Sequence, residues 1–176
     1  MSTTQNVILS VGTNLGDRLQ NLLQVKNLLQ NQLGGTQQWS GIYETPAWGF
    51  QGEPFYNAAI LLQTNSSAED VLSIIRTIEN QMGRVRNENA IGYSSRIIDI
   101  DIILYEDQII ETPELQIPHP RFTQRKFVLL PMQDLSWQWK HPQTQQNLEQ
   151  IIKECTDTSD CKKIAVFDDL TKSFKL

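Results

Sequence analysis

In Ile97-Ile98-Asp99-Ile100-Asp101-Ile102-Ile103 two carboxylates alternate with isoleucines. Successive side chains of a strand point to opposite faces, so Asp99 and Asp101 share one, with Cα atoms about 6–7 Å apart. Ionised together they repel by about 2–3 kcal/mol at an effective dielectric of about 20. A cation removes that cost, and hard divalent ions such as Mg²⁺ favour oxygen ligands and bring phosphate with them. The pair suits one or two Mg²⁺ ions bridging a polyphosphate. An edge strand with one solvated face is the competing reading; the flanking isoleucines count against it, because they suit a central strand.

Arg96 precedes the pair by three residues, and Arg84 and Arg86 lie just upstream. A transferring phosphoryl group needs its charge neutralised, and arginine offers a fixed donor fork. Six of the seven arginines fall between Arg76 and Arg125, in a chain with 15 Lys+Arg against 20 Asp+Glu and a net charge of −5. Pairing with surface carboxylates is the plainer explanation of that cluster; an anion site is the sharper one. His119, held between Pro118 and Pro120 and followed by Arg121 and Arg125, points to phosphate or is structural. No phosphate-binding Gly-x-x-x-x-Gly-Lys-Ser/Thr loop occurs. Gly12-Thr13-Asn14-Leu15-Gly16-Asp17 reads instead as a strand-to-helix turn, with Asp17 at the helix N-terminus.

The elements that must position these groups follow from periodicity. Asn6 to Val11 reads as a buried strand and Leu15 to Leu33 as a helix stopped by Gly34-Gly35. Gln37 to Glu44 and Tyr56 to Thr64 read as strands. Between them Thr45 to Phe55 combines turn formers with Trp48, Phe50 and Phe55, rings that either fold onto the core or form a flap over a flat aromatic ligand. Ser66 to Glu69 is a capping box opening a helix that ends at Gly83. Arg96 to Tyr105 is a strong strand, turned by Glu106-Asp107 into a hairpin partner at Gln108 to Glu111. This order predicts an α+β, ferredoxin-like βαββαβ fold: an antiparallel sheet with helices on one face. Phe127 to Asp134 and Asn147 to Cys155 read as helical and Lys163 to Phe167 as a short strand; the core runs from about residue 6 to 134, with a C-terminal helical extension over about 140–176.

At 176 residues and 20.2 kDa, with 39% hydrophobic residues, the chain predicts a single domain. Its acidity argues against a nucleic-acid partner. No apolar run approaches the roughly 20 residues of a membrane span, and Met1 to Val11 does not resemble a signal peptide, so a cytoplasmic protein is expected. Cys155 and Cys161 read as free thiols.

Six segments stand out together: the Gly12 to Gly16 turn, Tyr43-Glu44-Thr45-Pro46, Phe55-Tyr56-Asn57-Ala58-Ala59, Glu79 through Gly83-Arg84-Val85-Arg86, Arg96 to Ile102, and Pro118-His119-Pro120-Arg121. In this order and spacing they resemble the 6-hydroxymethyl-7,8-dihydropterin pyrophosphokinases of folate synthesis. The resemblance runs from about Asn6 to Asp134. It implies transfer of the terminal pyrophosphoryl group of ATP to a pterin alcohol, with ATP as co-substrate and two Mg²⁺ ions on Asp99 and Asp101. It implies ATP contacts from Glu79, Arg86, Arg96, Ile102, His119 and Arg125, and a catalytic role for Arg84 and Arg96 beside the two aspartates. It implies pterin contacts from Thr45, Pro46, Trp48, Phe55, Asn57 and Phe127, with the two phenylalanines sandwiching the ring. The expected protein is a monomer whose ligands are ATP and the pterin, without nucleic acid or membrane. Ile91 and Tyr93-Ser94-Ser95 depart from the family's usual tryptophan and Gly-Pro-Arg connection. Two other readings stay open on the residues alone: another two-metal nucleotidyl or phosphoryl transferase, and a non-enzymatic ferredoxin-like binding module.

Overall fold

The apolar runs Val7–Val11 and Ala58–Leu62 pair as adjacent antiparallel strands and are buried throughout apart from a trace at Ser10 and Leu61. The computed structural model describes residues 3–47, 49–84 and 94–167. In chain order its elements are β1 (Gln5–Thr13), α1 (Arg18–Leu33), β2 (Thr36–Trp39), β3 (Ile42–Thr45), β4 (Phe55–Thr64), α2 (Ala68–Gln81) and β5 (Asp99–Tyr105). There follow β6 (Ile110–Glu111), β7 (Gln116–Ile117), α3 (Lys126–Met132), α4 (Leu148–Glu154) and β8 (Lys162–Ala165). Six strands form one mixed-in-length antiparallel sheet in the order β5-β1-β4-β3-β8, with β2 also pairing β4. β6 and β7 make a separate ribbon.

Local chemistry sets the helix ends. The Asp17 carboxylate accepts the Gln20 N–H at 3.0 Å, and α1 stops at Gly34, whose φ of 61° suits a residue without a side chain. At α2 the cap is one residue later than the sequence predicts. Ser66 N–H is drawn to Thr64 Oγ1, closing β4, and Ser67 Oγ accepts the Asp70 N–H at 3.1 Å. That register buries Ala68, Val71, Ile75 and Ile78. Ser67→Ala should therefore cost about 1 kcal/mol, read as a melting point lower by about 2–4 °C; no shift would show that the cap contributes nothing.

Alternation divides the sheet into two differently used faces. Val7, Leu9, Val11, Ala58, Ile60, Leu62, Ile98, Ile100 and Ile102 meet α1 and α2 in one core. Ile8, Ala59, Leu61 and Ile103 meet α3 in a second core, which Ile151 of α4 joins. Helices thus cover both faces rather than one, because the second face is also apolar over half its length. The C-terminal segment supplies the short strand read near its end: β8 lies as an edge strand beside β3, pinned by an ion pair of 2.9 Å from Lys163 to Asp134.

Three further boundaries differ from expectation. The strand read over 37–44 breaks at Ser40-Gly41, where Ser40 Oγ accepts the Ala59 N–H and Gly41 N–H turns to Asp134. β5 starts at Asp99, three residues late, since Arg96 and Ile97 are held by the turn after β1. β6 pairs with β7 and not with β5. A one-residue bulge also lies in β5, where Ile8 faces Leu104 and Leu9 faces Ile102, leaving Ile103 between.

Candidate active site

Asp99, Gly12 and Asn57 stand in one row across β5, β1 and β4. Two strand spacings put the backbones of Asp99 and Asn57 about 10 Å apart. Gly12 keeps the middle of that row open: a Cβ there would stand 3.0 Å from Asn57 Oδ1. A glycine inside a strand is the usual mark of such a close approach. Two residue pairs along, on the same face, Ser10 faces Asp101.

The Gly12–Asp17 turn holds the arginine side of the row. Asn14, 1% exposed, accepts the Arg96 N–H on Oδ1 at 2.7 Å, and its own N–H donates to Arg96 O at 3.0 Å. Its Nδ2 donates to Glu53 O and Ser95 Oγ, so one side chain ties three loops together. Thr13 Oγ1 donates to Ile97 O at 2.6 Å, and Asn21 supports both. Arg96 is delivered in turn to Asp99, to which its guanidinium donates. Arg84 donates to Asp99 Oδ1 at 2.6 Å and also pairs with Glu79. Glu79, on the last turn of α2, is 1% exposed and accepts the Ile100 N–H at 3.0 Å.

The two aspartates therefore differ. Asp99 is balanced by Arg84 and Arg96. Burial, then the Asp99 charge, push the Asp101 carboxyl up to about 7, despite opposing pulls from Arg125 and Arg84. Asp101 is a carboxylate whose charge the surrounding groups do not offset. Among the described residues no group of three or more His, Cys, Asp or Glu is placed to hold a metal. Asp99 and Asp101 could supply two carboxylate ligands to a hard divalent ion that completes its shell with water and phosphate, the ligand chemistry Mg²⁺ favours.

His119 is fixed from two sides. Its N–H donates to the carbonyl of the bulged Ile103 at 2.9 Å, and its Nδ1 accepts the Arg121 N–H at 3.2 Å. Burial, then Arg125 and Arg121, lower its pKa to about 4. With Nδ1 accepting, the neutral ring carries its proton on Nε2 and can donate there. It is thus a hydrogen-bond donor and not a cation in the ligand-free protein.

At the other end Asn57, 3% exposed, donates from Nδ2 to Thr45 Oγ1 at 2.9 Å. This fixes the amide and leaves Oδ1 toward the open row. Phe50 and Phe55 meet edge to face with centroids 6.3 Å apart. A cavity of about 570 Å³ joins both ends of the row. It brings together the expected residues Thr45, Pro46, Phe55, Asn57, Arg96, Asp99, Asp101, Arg125 and Phe127. Of the other expected residues, Glu79 lies beneath β5 and Arg84 reaches the site through Asp99. The Ile102 side chain is 5% exposed in the core against α1 and α2, so it faces away from the cavity. Trp48, Arg86, Ile91 and Tyr93 lie outside the described residues.

The sequence reading missed Ser10, Gly12, Phe50 and Gln124 as lining residues. Gly12 falls in the segment read as a turn, whereas β1 runs on to Thr13; Ser10 and Gln124 carry no local signal. Phe50 was singled out only as part of the aromatic loop.

The chain was compared with known proteins. The model of the family described as 7,8-dihydro-6-hydroxymethylpterin-pyrophosphokinase matches residues 8–137. The 2-amino-4-hydroxy-6-hydroxymethyldihydropteridine pyrophosphokinase of Porphyromonas gingivalis is 40% identical over 139 residues, 78% of this chain and 94% of that one. The protein of the same name from Aquifex aeolicus is 32% identical over 151 residues, 85% of this chain and 92% of that one. Among solved structures, the HPPK-DHPS protein of Plasmodium falciparum superposes with a TM-score of 0.68 at 17% identity. That match covers 88% of this chain but 46% of the Plasmodium chain, and at such identity it speaks to fold alone.

Proposed function

Because the chain belongs to the 7,8-dihydro-6-hydroxymethylpterin-pyrophosphokinase family, we propose that it transfers the terminal pyrophosphoryl group of ATP to the hydroxymethyl group of 6-hydroxymethyl-7,8-dihydropterin. The products are the pterin diphosphate and AMP. The observation that carries this reading is the single open row, with paired carboxylates and arginines at one end and a fixed amide among aromatic rings at the other. A flat heterocycle bearing a short alcohol fits such a row if its ring lies at Asn57 and its alcohol points to Asp99.

In this reading Phe55 and Phe127 take the two faces of the pterin, and Asn57 Oδ1 accepts a ring N–H. Thr45, Pro46 and Trp48 complete that end. The hydroxyl oxygen gives up its proton, to Asp101 or to water, and bonds to the β-phosphorus of ATP while the bond from that phosphorus to the α,β-bridging oxygen breaks, so AMP leaves with those electrons on its phosphate. Asp99 and Asp101 would hold two Mg²⁺ ions, which supply charge neutralisation for the attacking and leaving oxygens. Arg84 and Arg96, which lie against Asp99, would neutralise charge on the phosphates, with Arg86 and Arg125 acting on the same charges. His119 donates from Nε2 to a phosphate oxygen. Glu79 keeps Arg84 and β5 in position, and any contact from Ile102 is through its backbone. Alignment of oxygen and phosphorus supplies much of the rate gain.

We further read the whole chain as one domain, built on a ferredoxin-like βαββαβ core that the segment after residue 140 completes, and as a monomeric, cytoplasmic enzyme that binds no nucleic acid. No helix among the described residues is long and apolar enough to cross a membrane. Incubation with ATP, Mg²⁺ and 6-hydroxymethyl-7,8-dihydropterin should release AMP and pterin diphosphate in equal amounts. Release of ADP, or of pyrophosphate with a nucleotidylated product, would instead assign a different transferase.

A further inference from the structure

The family match ends at residue 137, yet four residues well beyond it, Thr156, Asp157, Thr158 and Ser159, line the same cavity as Arg125 and Phe127. The path of this strap is fixed on both sides. Before it, α4 buries Ile151 in the second core. After it, β8 pairs with β3, and Phe167, 1% exposed, stacks on Trp39 at 4.4 Å.

Between those anchors the strap grips one turn of the site. α3 begins at Lys126, and its preceding residue Arg125 makes no side-chain cap. The cap comes from far along the chain instead: Asp157 Oδ2 accepts the Lys126 N–H at 2.9 Å. Asp157 Oδ1 accepts the Ser159 N–H at 2.9 Å, and Lys126 Nζ donates to Ser159 O at 3.3 Å. Burial opposes ionisation of Asp157, but the hydrogen bonds from Lys126 and Ser159 outweigh it and hold its pKa below the usual value. Lys126 sits between Arg125 and Phe127, so whatever fixes its backbone sets the direction of both neighbours.

We propose that this strap is a substrate-selecting wall of the site, in which Asp157 is the positioning residue that orients Phe127 against the pterin. The proposal rests on the pyrophosphokinase reading and extends it to a part of the chain outside the family match. The two neighbours of Lys126 respond differently to a loosened turn. Stacking needs the plane of the Phe127 ring, which has only two side-chain torsions, so a rotated backbone misaligns it. The longer Arg125 side chain can re-aim its guanidinium at phosphate. Loss of the Asp157 contacts should therefore weaken pterin binding and spare ATP.

The test is Asp157→Ala and Asp157→Asn in the full chain, with steady-state kinetics, thermal melting, and direct titration with 6-hydroxymethylpterin. We expect Asp157→Ala to raise the pterin KM and Kd about tenfold while kcat and the ATP KM stay within about twofold. Asp157→Asn keeps an acceptor oxygen and should fall between it and the parent. If Asp157→Ala does not fold, the asparagine variant carries the same comparison. A lowered melting point with an unchanged pterin KM and Kd would overturn the proposal and leave the strap a staple. Equal losses for pterin and ATP would overturn the selective role. Failure of the unsubstituted protein to convert the pterin would instead sink the enzymatic reading, and is seen before any variant is made.

Discussion

Asp101→Asn is expected to lower kcat by at least about a thousandfold while raising the melting temperature of the metal-free protein by a few degrees. The two effects have one cause. The carboxylate faces the cavity with too little opposing charge, and its pKa stands at about 7 against 3.8 in the open chain. Between those values the folded chain holds a proton that the unfolded chain has released, so this group's contribution to stability falls as pH rises through the window. Asparagine has nearly the same shape and no proton to lose. The stability gap between variant and parent should therefore open from about pH 4 to pH 7 and level off above. Retained turnover would remove Asp101 from the reacting centre, and a gap that does not change with pH would remove the electrostatic account. Asp99→Asn should lose turnover as well but shift the melting point the other way, because it leaves Arg84 and Arg96 facing each other without their shared anion.

Glu79→Ala should be the most destabilising single change at the site, by about 2–4 kcal/mol. Among the described residues β5 ends the sheet order, and the Ile100 N–H on its outer side meets no neighbouring strand there. Glu79 accepts that N–H and pairs with Arg84 from a position 1% exposed. Alanine removes these interactions, strands the Ile100 donor in a region that water reaches poorly and leaves Arg84 with Asp99 as its carboxylate partner. The urea midpoint should fall clearly, and turnover with it, since Arg84 would settle on Asp99 alone. Glu79→Gln keeps an oxygen for Ile100 and should lose about half as much. An unchanged midpoint in the alanine variant would refute this account of the sheet edge.

Which parts of this arrangement the sequence discloses depends on how far each cause acts along the chain. The alternation around Asp99 and Asp101 is local, and it places both carboxylates on one face and Ile98, Ile100 and Ile102 on the other. The helix ends at Asp17 and Gly34 are local too, while the α2 cap slipped by one residue because Ser66 and Ser67 offer the same hydroxyl and only the Thr64 contact separates them. The strand register is not local. Nothing near Gly12 in the chain says that it faces Asp99 on one side and Asn57 on the other, and Ser10 acquires its place only through that register. The bulge at Ile103 is a tertiary accommodation, and with it goes the carbonyl that orients His119. Coverage of the second face by α3 could not be read from βαββαβ order, which specifies only the helices between strands. The Asp157 contact is more distant still, crossing 31 residues to reach Lys126. Six scattered motifs disclosed the family nonetheless, since their residues, order and spacing are legible in the chain without any knowledge of register.

The second face of the sheet changes use along its length. Ile8, Ala59, Leu61 and Ile103 lie under α3, whereas Ser10, Gly12, Asn57 and Asp99 open into the cavity. The protein's interior is in this sense unfinished, and on the proposed function the substrates would be the remaining layer. Occupancy then becomes a folding term: a ligand at a hundred times its dissociation constant adds about 2.7 kcal/mol to the native state. Cellular supply of ATP and pterin would set how long each molecule of the enzyme resists proteases as well as how fast it turns over.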